Sequence, residues 1–475
     1  MEVKLREYQS NVISKVRKSM TGGHKQIVIA SPTGAGKTIM FTHIIKSCLD
    51  KGNSALLFTH RKELLTQAGG AFAKFGLNPE LITAGSKPDL NKNLHVAMIE
   101  TFNGRIEVYK DFLDSRTLIV IDEAHLNSFT KIFPHINKDT YVFGVTATPY
   151  RKGKASPSLS EFYTKLIQGV DTPELISLGF LSKANTFGIH IDLSKAKKTA
   201  VDYDTFSLYE ENKTYRGVVK NWVRLCEGSK TLLFASNVKS SKQVCTQFNS
   251  KGYEARHVDS NTPQVEREGT LKWFNDTKDA IVCNCGILTA GYDQPDIETI
   301  ILYRATTSLP LFLQMCGRGS RVTDIKKEFT ILDFGNNIGR FNFWEESRTW
   351  SLEKDDIRIS KEGLAPVKEC PSCAAMLHAS LRECPHCGHI FKKTKKEEEI
   401  ELQKLFPTKQ SAMQGAQGLD NEGLVEMCKA KLISPLWVLH NKKDCKDAKK
   451  FVKLMGWDEW YPKMNKNRFK VFSNL

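Results

Sequence analysis

No uninterrupted apolar run in this 475-residue chain approaches the roughly 18 residues that a membrane span requires. The opening MEVKLREYQS is charged from its second residue and has no apolar h-region. A lipidation motif and an amphipathic anchor are absent too. These absences lead us to expect a soluble, cytoplasmic protein with no membrane partner. Acidic side chains are the scarcer charge: 53 Asp and Glu against 69 Lys and Arg leave a formal net charge of +16. Such an excess suits a polyanionic partner, nucleic acid before a membrane surface. A secreted disulfide framework is also missing. Of the 12 cysteines, four stand in one tight cluster and the others are scattered through apolar or mixed segments, which points to metal binding.

What is present is enough for real cores. Hydrophobic residues make up 40% and charged residues 26%, and the length allows about three domains at roughly 150 residues each. Short β-branched runs recur at 26–30, 55–59, 95–99, 117–122 and 141–148, each followed by helix-like or loop sequence. The pattern restarts at 231–235, 280–284, 299–303 and 329–334. Runs that are apolar on both faces and separated by crossover lengths read as buried parallel strands. The expected fold class is therefore α/β, with two parallel-sheet lobes in tandem. Between them, RKGKASPSLS reads as a flexible loop and TYRGVVKNWVRLCEG as an amphipathic helix leading into the second sheet.

SPTGAGKT, Ser31 to Thr38, directly follows the first run and precedes a plausible helix. Gly34 and Gly36 allow backbone N–H groups to close around phosphate oxygens at the positive end of that helix. Lys37 would reach the β- and γ-phosphates of ATP, and Thr38 would ligate Mg²⁺. Ser31 stands where the general pattern has glycine. LIVIDEAH ends the fourth run with an aspartate, costly on a buried strand unless it serves a cation. Asp122 would hold Mg²⁺ and Glu123 would orient and deprotonate an attacking water. QMCGRGSR, Gln314 to Arg321, sets two arginines three residues apart near a turn or helix end. Alone, it reads equally as a solvated basic patch.

In this order SPTGAGKT, DEAH (122–125), TAT (146–148) and QMCGRGSR resemble the superfamily 2 helicases and translocases, over roughly residues 1–345. The resemblance implies RecA-like lobes at 1–180 and 181–345. It places Gln9 of LREYQ on the adenine edge and Gly291 and Asp293 of LTAGYDQP between ATP and the nucleic-acid strand. Thr59, Arg61 and Thr101 fall on nucleic-acid-contacting motifs. Gln314, Arg318 and Arg321 would face the nucleotide from the second lobe.

Beyond a linker at 346–367, two CxxC pairs, Cys370 with Cys373 and Cys384 with Cys387, occupy a segment 368–392. Four thiolates in paired turns suit Zn²⁺, with iron as the alternative because a rubredoxin-like site shares the spacing. His378 and His386 read as bystanders. The segment resembles a zinc ribbon, whose task is nucleic-acid or protein contact, or structure alone. Residues 393–475 read as a basic, mainly helical segment. Its Trp437, Trp457, Trp460, Tyr461 and Phe469 either stack on bases or form a small core. Two functions follow: an ATP-driven motor on duplex or branched DNA, with RNA unwinding as its rival, or an ATPase clamp within a larger complex. LREYQ and QxxGRxxR resemble the DNA translocases of restriction and branch-migration type more than DEAD-box RNA helicases. LDFGNN (332–337) is similar to phage-encoded members, so the host cytoplasm and DNA recombination or repair are expected. No nuclease motif accompanies them.

Overall fold

The computed structural model describes residues 3–60, 70–151, 156–188, 197–198, 202–204, 214–289, 292–353, 367–369, 376–378, 403–405, 419–429, 434–441 and 445–457. The first sheet contains β1 (Gln26–Ala30), β2 (Ala55–Thr59), β3 (Glu80–Ile82), β4 (Leu94–Met98), β5 (Leu118–Asp122), β6 (Tyr141–Thr146) and β7 (Lys165–Gln168). Their spatial order is β3-β4-β2-β5-β6-β1-β7, and every pairing is parallel. Alternation explains the unbroken apolar runs. Ile27, Ile29, Leu57, Val120 and Phe143 enter one core, while Val28, Leu56, Phe58, Ile119 and Val142 enter another on the opposite face.

After β7 the chain crosses to a second parallel sheet, whose first strand is β8 (Lys183–Gly188). A short antiparallel pair, β9 (Lys197–Lys198) and β10 (Tyr203–Asp204), precedes β11 (Thr231–Ala235), β12 (Ala255–Val258), β13 (Ile281–Cys285), β14 (Thr299–Tyr303) and β15 (Glu328–Asp333). The order β12-β13-β11-β14-β15-β8 is parallel throughout. The amphipathic helix Thr214–Cys226 buries Val218, Val219 and Trp222 against this sheet, and the Trp222 indole N–H donates to Thr231 Oγ1 at 2.7 Å.

Two stretches depart from expectation at their described residues; residues 152–155 of the expected loop lie outside the described residues. Arg151, which opens the expected flexible loop, is only 5% exposed, and Ser158 further along caps a short 3₁₀ turn. Residues 348–353, expected within a linker, instead run along the first lobe. Gln168 Nε2 donates to Arg348 O at 2.9 Å, Ser158 Oγ donates to Leu352 O at 2.6 Å, and Leu352 packs on the core there. LDFGNN serves as a brace: Asn337 Nδ2 donates to Arg304 O (2.8 Å) and Asp333 Oδ1 (2.7 Å), joining the ends of β14 and β15. Both sheets belong to one compact unit; a second holds the helices Asn421–Lys429, Pro435–Asn441 and Cys445–Leu454. Those three share a core to which Trp437 and Trp457 contribute, so these two rings are used for packing. Trp460, Tyr461 and Phe469 lie outside the described residues. No helix among the described residues is long and apolar enough to cross a membrane.

Candidate active site

Three segments leave the carboxyl edge of the first sheet side by side. Ala30 pairs with Thr146 and Asp122 with Val145, so the phosphate-type loop, the acidic turn and the TAT segment begin in register. Ser31 N–H donates to Thr146 O at 3.0 Å, tying the first to the third. Gly36 takes φ +74°, and a Cβ there would stand 2.5 Å from Gln9 Nε2. The left-handed φ favours glycine, and any larger residue would also have to displace the Gln9 amide. The helix Lys37–Leu49 starts immediately after it, directing its first N–H groups at the loop. Lys37 Nζ donates to Ser31 O (3.3 Å) and Pro32 O (3.1 Å).

The acidic turn is strained and electrostatically loaded. Glu123 adopts φ +53°, a conformation that costs a non-glycine residue about 1–3 kcal/mol. Burial, and then the neighbouring Glu123, push the Asp122 carboxyl up to about 7. Glu123 Oε2 is buried without a hydrogen-bond partner among the described residues; His125 Nδ1 stands 3.4 Å away and bonds Thr146 Oγ1 at 2.8 Å. Arg151 holds the turn from behind. Its Nε donates to His125 O (3.0 Å) and its Nη2 to Ala124 O (3.1 Å) and Leu126 O (3.2 Å). Sequence reasoning missed Arg151, because nothing in its basic, serine-rich surroundings signals a buried guanidinium.

The second sheet supplies the facing wall. The helix Leu309–Cys316 ends at Gly317, so Gln314 is half-buried in its last turn while Arg318 and Arg321 occupy the turn beyond. Arg318 is 6% exposed, which removes the surface-patch reading. Its Nε donates to Thr289 O at 3.1 Å and its Nη1 to Tyr292 O. Arg321 Nε pairs with Asp293 Oδ1 at 2.6 Å, and Arg321 Nη1 is buried with no hydrogen-bond partner among the described residues. Leu288, just ahead, takes φ +61°. From below, Lys326 Nζ donates to Gly319 O (2.8 Å) and Ile297 O (2.7 Å).

The two walls meet. A Cβ on Gly317 would stand 2.9 Å from Thr33 Cβ, across the sheets. Lys37 registers all the charges at once: burial pushes its ammonium down, Glu123 and Asp122 raise it, and Arg318 and Arg321 lower it. An unpaired carboxylate oxygen, an unpaired guanidinium N–H and a lysine around one cleft can hold a polyphosphate and a cation. Gln9 is buried beneath the loop; its Nε2 donates to Ala35 O at 3.3 Å and its Oε1 accepts from Arg6 N–H at 2.9 Å. Thr59 is buried at the end of β2 and Thr101 is half-buried in the helix Ile99–Asn103. Arg61, Gly291, Cys370, Cys373, Cys384 and Cys387 lie outside the described residues.

Residues 2–151 match the family described as Type III restriction enzyme, res subunit, and residues 217–323 match the Helicase conserved C-terminal domain. Residues 368–393, which contain the four clustered cysteines, match a family described as uncharacterised. The chain is 30% identical over 387 residues to the 51.5 kDa protein of Lactococcus phage (isolate 7-9), covering 79% of this chain and 80% of that one. It is 28% identical over 438 residues to a Saccharomyces cerevisiae protein described as "Putative ATP-dependent helicase IRC3", covering 86% of this chain and 60% of that one. In fold it is similar to the ATP-dependent Type ISP restriction-modification enzyme LlaBIII bound to DNA, with a TM-score of 0.54, 16% identity, and coverage of 69% of this chain and 27% of that one.

Proposed function

This chain belongs to the superfamily 2 helicases and hydrolyses ATP, and on that premise we propose that it is a motor that unwinds or remodels duplex or branched DNA. One observation carries the reading: two acids and a lysine from the first sheet converge with two arginines from the second, around a single cleft. Gly34, Gly36 and Lys37 cradle the phosphates, with Gln9 bracing the loop on the adenine side. Thr38 and Asp122 hold Mg²⁺, and the fit is chemical, since a divalent cation satisfies a carboxylate otherwise held up to about 7 by burial. When bound, that ion neutralises phosphate charge. Glu123 accepts the proton of the attacking water. Arg318 and Arg321 meet charge on the γ-phosphoryl group as it passes from ADP to water, with Gln314 beside them, and Gly291 and Asp293 link that wall to the nucleic acid.

The charge of +16 suits either nucleic acid; DNA is preferred over RNA because the matching family is of restriction type and a similar fold is one bound to DNA. Thr101 and Arg61 are the candidate strand contacts; Thr59, being buried, shapes the end of β2. Recombination or repair in the cytoplasm is the proposed setting. Cys370, Cys373, Cys384 and Cys387 bind one Zn²⁺. Elemental analysis should find about one zinc per chain, lost in Cys370→Ser/Cys373→Ser with ATP turnover retained; metal-free protein purified without chelator would end that claim.

The function itself is tested by ATP turnover with single-stranded DNA, duplex DNA, a four-way junction and RNA side by side. DNA should stimulate most. Greater stimulation by RNA would make it an RNA helicase, and stimulation without strand displacement or translocation would leave an ATPase clamp.

A further inference from the structure

The peptide that crosses between the sheets touches three parts of the cleft with three successive residues. Phe180 packs against the Tyr8 ring with centroids 5.4 Å apart, and Arg6 stacks over it at 4.1 Å. Tyr8 OH in turn donates to Ala35 O of the phosphate loop at 3.0 Å. Leu181, 2% exposed, lies over Gly34: a Cβ there would stand 2.7 Å from Leu181 Cδ2. Ser182 is fully buried. Its N–H donates to Ser320 O at 2.7 Å, its Oγ donates to Arg321 O at 3.0 Å, and Leu181 pairs with Arg321 in an isolated antiparallel bridge.

The Ser182 N–H bond belongs to that bridge, but the Oγ bond to Arg321 O is a side-chain contact that no β-pairing requires, and β8 begins only one residue later. Through that hydroxyl the serine fixes the backbone that carries Arg321, whose side chain has a buried N–H with no hydrogen-bond partner among the described residues and whose charge reaches Lys37. A carbonyl held by a hydroxyl restrains the peptide plane next to the Arg321 Cα and so limits how far the side chain's anchor can shift, and displacement of a charged group by about 1 Å can cost on the order of 10²-fold in rate.

We propose that Phe180–Leu181–Ser182 is a positioning element that couples the phosphate loop to the arginine turn, with Ser182 acting through Arg321. The proposal rests on the assignment of Arg321 to the nucleotide and deepens it. Ser182 is a positioning residue, because none of its described contacts reaches the reacting atoms.

A double-mutant cycle on ATP turnover of the full chain tests this. Ser182→Ala should lower kcat on the order of tenfold, with the KM for ATP shifted less than about twofold. In an Arg321→Ala background the same change should lower kcat by less than about twofold, since there is no longer a guanidinium to aim. Ser182→Cys, nearly isosteric with a weaker donor, should show the same pattern at smaller amplitude, and it is the reporter if the alanine variant does not fold. Equal losses in both backgrounds would mark Ser182 as merely structural and overturn the proposal. So would wild-type turnover in both Ser182→Ala and Ser182→Cys. A failure of the underlying assignment looks different: Arg321→Ala alone would then retain normal turnover.

Discussion

The two walls of the cleft are built in opposite ways. On the first wall each functional group sits at or just beyond the end of its own strand, and adjacent strands bring Ala30, Asp122 and Thr146 together by register alone. On the second wall the arginines lie in a turn between a helix and a strand. Their supports come from Thr289, Tyr292 and Asp293 before them, and from Lys326 and Ser182 around the turn. The first wall is a product of the sheet. The second is a product of side-chain-to-backbone hydrogen bonds made at long range. Substitutions on the first wall should therefore remove chemistry with little loss of structure, whereas on the second wall those that take donors from backbone carbonyls should remove both.

The largest effects test the first half of that contrast. Lys37→Ala and Glu123→Gln should each abolish ATP turnover by different routes. The lysine change weakens nucleotide binding because a phosphate cation is lost. Glu123→Gln should keep nucleotide affinity near wild type and trap a strand-bound state, because only the proton acceptor is gone. Nucleotide titration and turnover on the same preparations check this; normal turnover in Glu123→Gln would remove the assignment of the base.

On the second wall Arg318→Ala and Arg321→Ala should each slow hydrolysis on the order of 10²-fold or more, with much smaller changes in ATP affinity. The structure separates the two by melting temperature. Arg318→Ala strips donors from two backbone carbonyls in a buried setting and should destabilise the fold. Arg321→Ala frees only an exposed carboxylate, Asp293 at 57% exposure, and should melt near wild type. Equal melting losses would break the contrast between positional and chemical roles on this wall.

That contrast also explains what could be read from the chain. Strand runs such as TLLFA and TIILY were legible because a strand buried on both faces must be apolar throughout. SPTGAGKT and DEAH were legible because phosphate and cation chemistry fixes residue type and spacing within a few positions. Arg151, Ser182 and Lys326 were not. Each is a common polar residue whose meaning lies in a carbonyl far off in sequence or on another strand, and no local pattern encodes that partner. β8 was missed for a related reason: KANTFG carries polar residues that a buried parallel strand usually lacks.

Arg151 offers a first-wall exception. It supports the acidic turn from far along the chain, and it donates to three consecutive carbonyls. Arg151→Met should lower kcat by about tenfold while leaving nucleotide affinity within about twofold. It should also destabilise the fold by about 1–3 kcal/mol, the usual cost of buried acceptors losing a charged donor. If turnover is unchanged while melting falls, Arg151 supports the loop without setting Glu123.

The last effect leaves the chemistry aside and is a pH dependence of stability on the second wall. Burial, and then the charge of Arg321, push the Lys326 ammonium down to about 7, against an ordinary value of 10.5. A neutral amine still has two N–H groups, one for each of its acceptors, Gly319 O and Ile297 O, so the bonds survive deprotonation. In the unfolded chain the lysine is charged below about 10.5, so between that value and about 7 the unfolded state binds more protons than the folded one. Folding stability from this group is therefore fully present above the unfolded value, falls as pH falls, and is lost by about pH 7. The slope approaches about 1.4 kcal/mol per pH unit within the window. Lys326→Met removes the titration and leaves two carbonyls unpaired. The melting difference between wild type and Lys326→Met should thus widen steadily from pH 7 to pH 9.5, and a constant difference across that range would show that Lys326 keeps its proton in the fold.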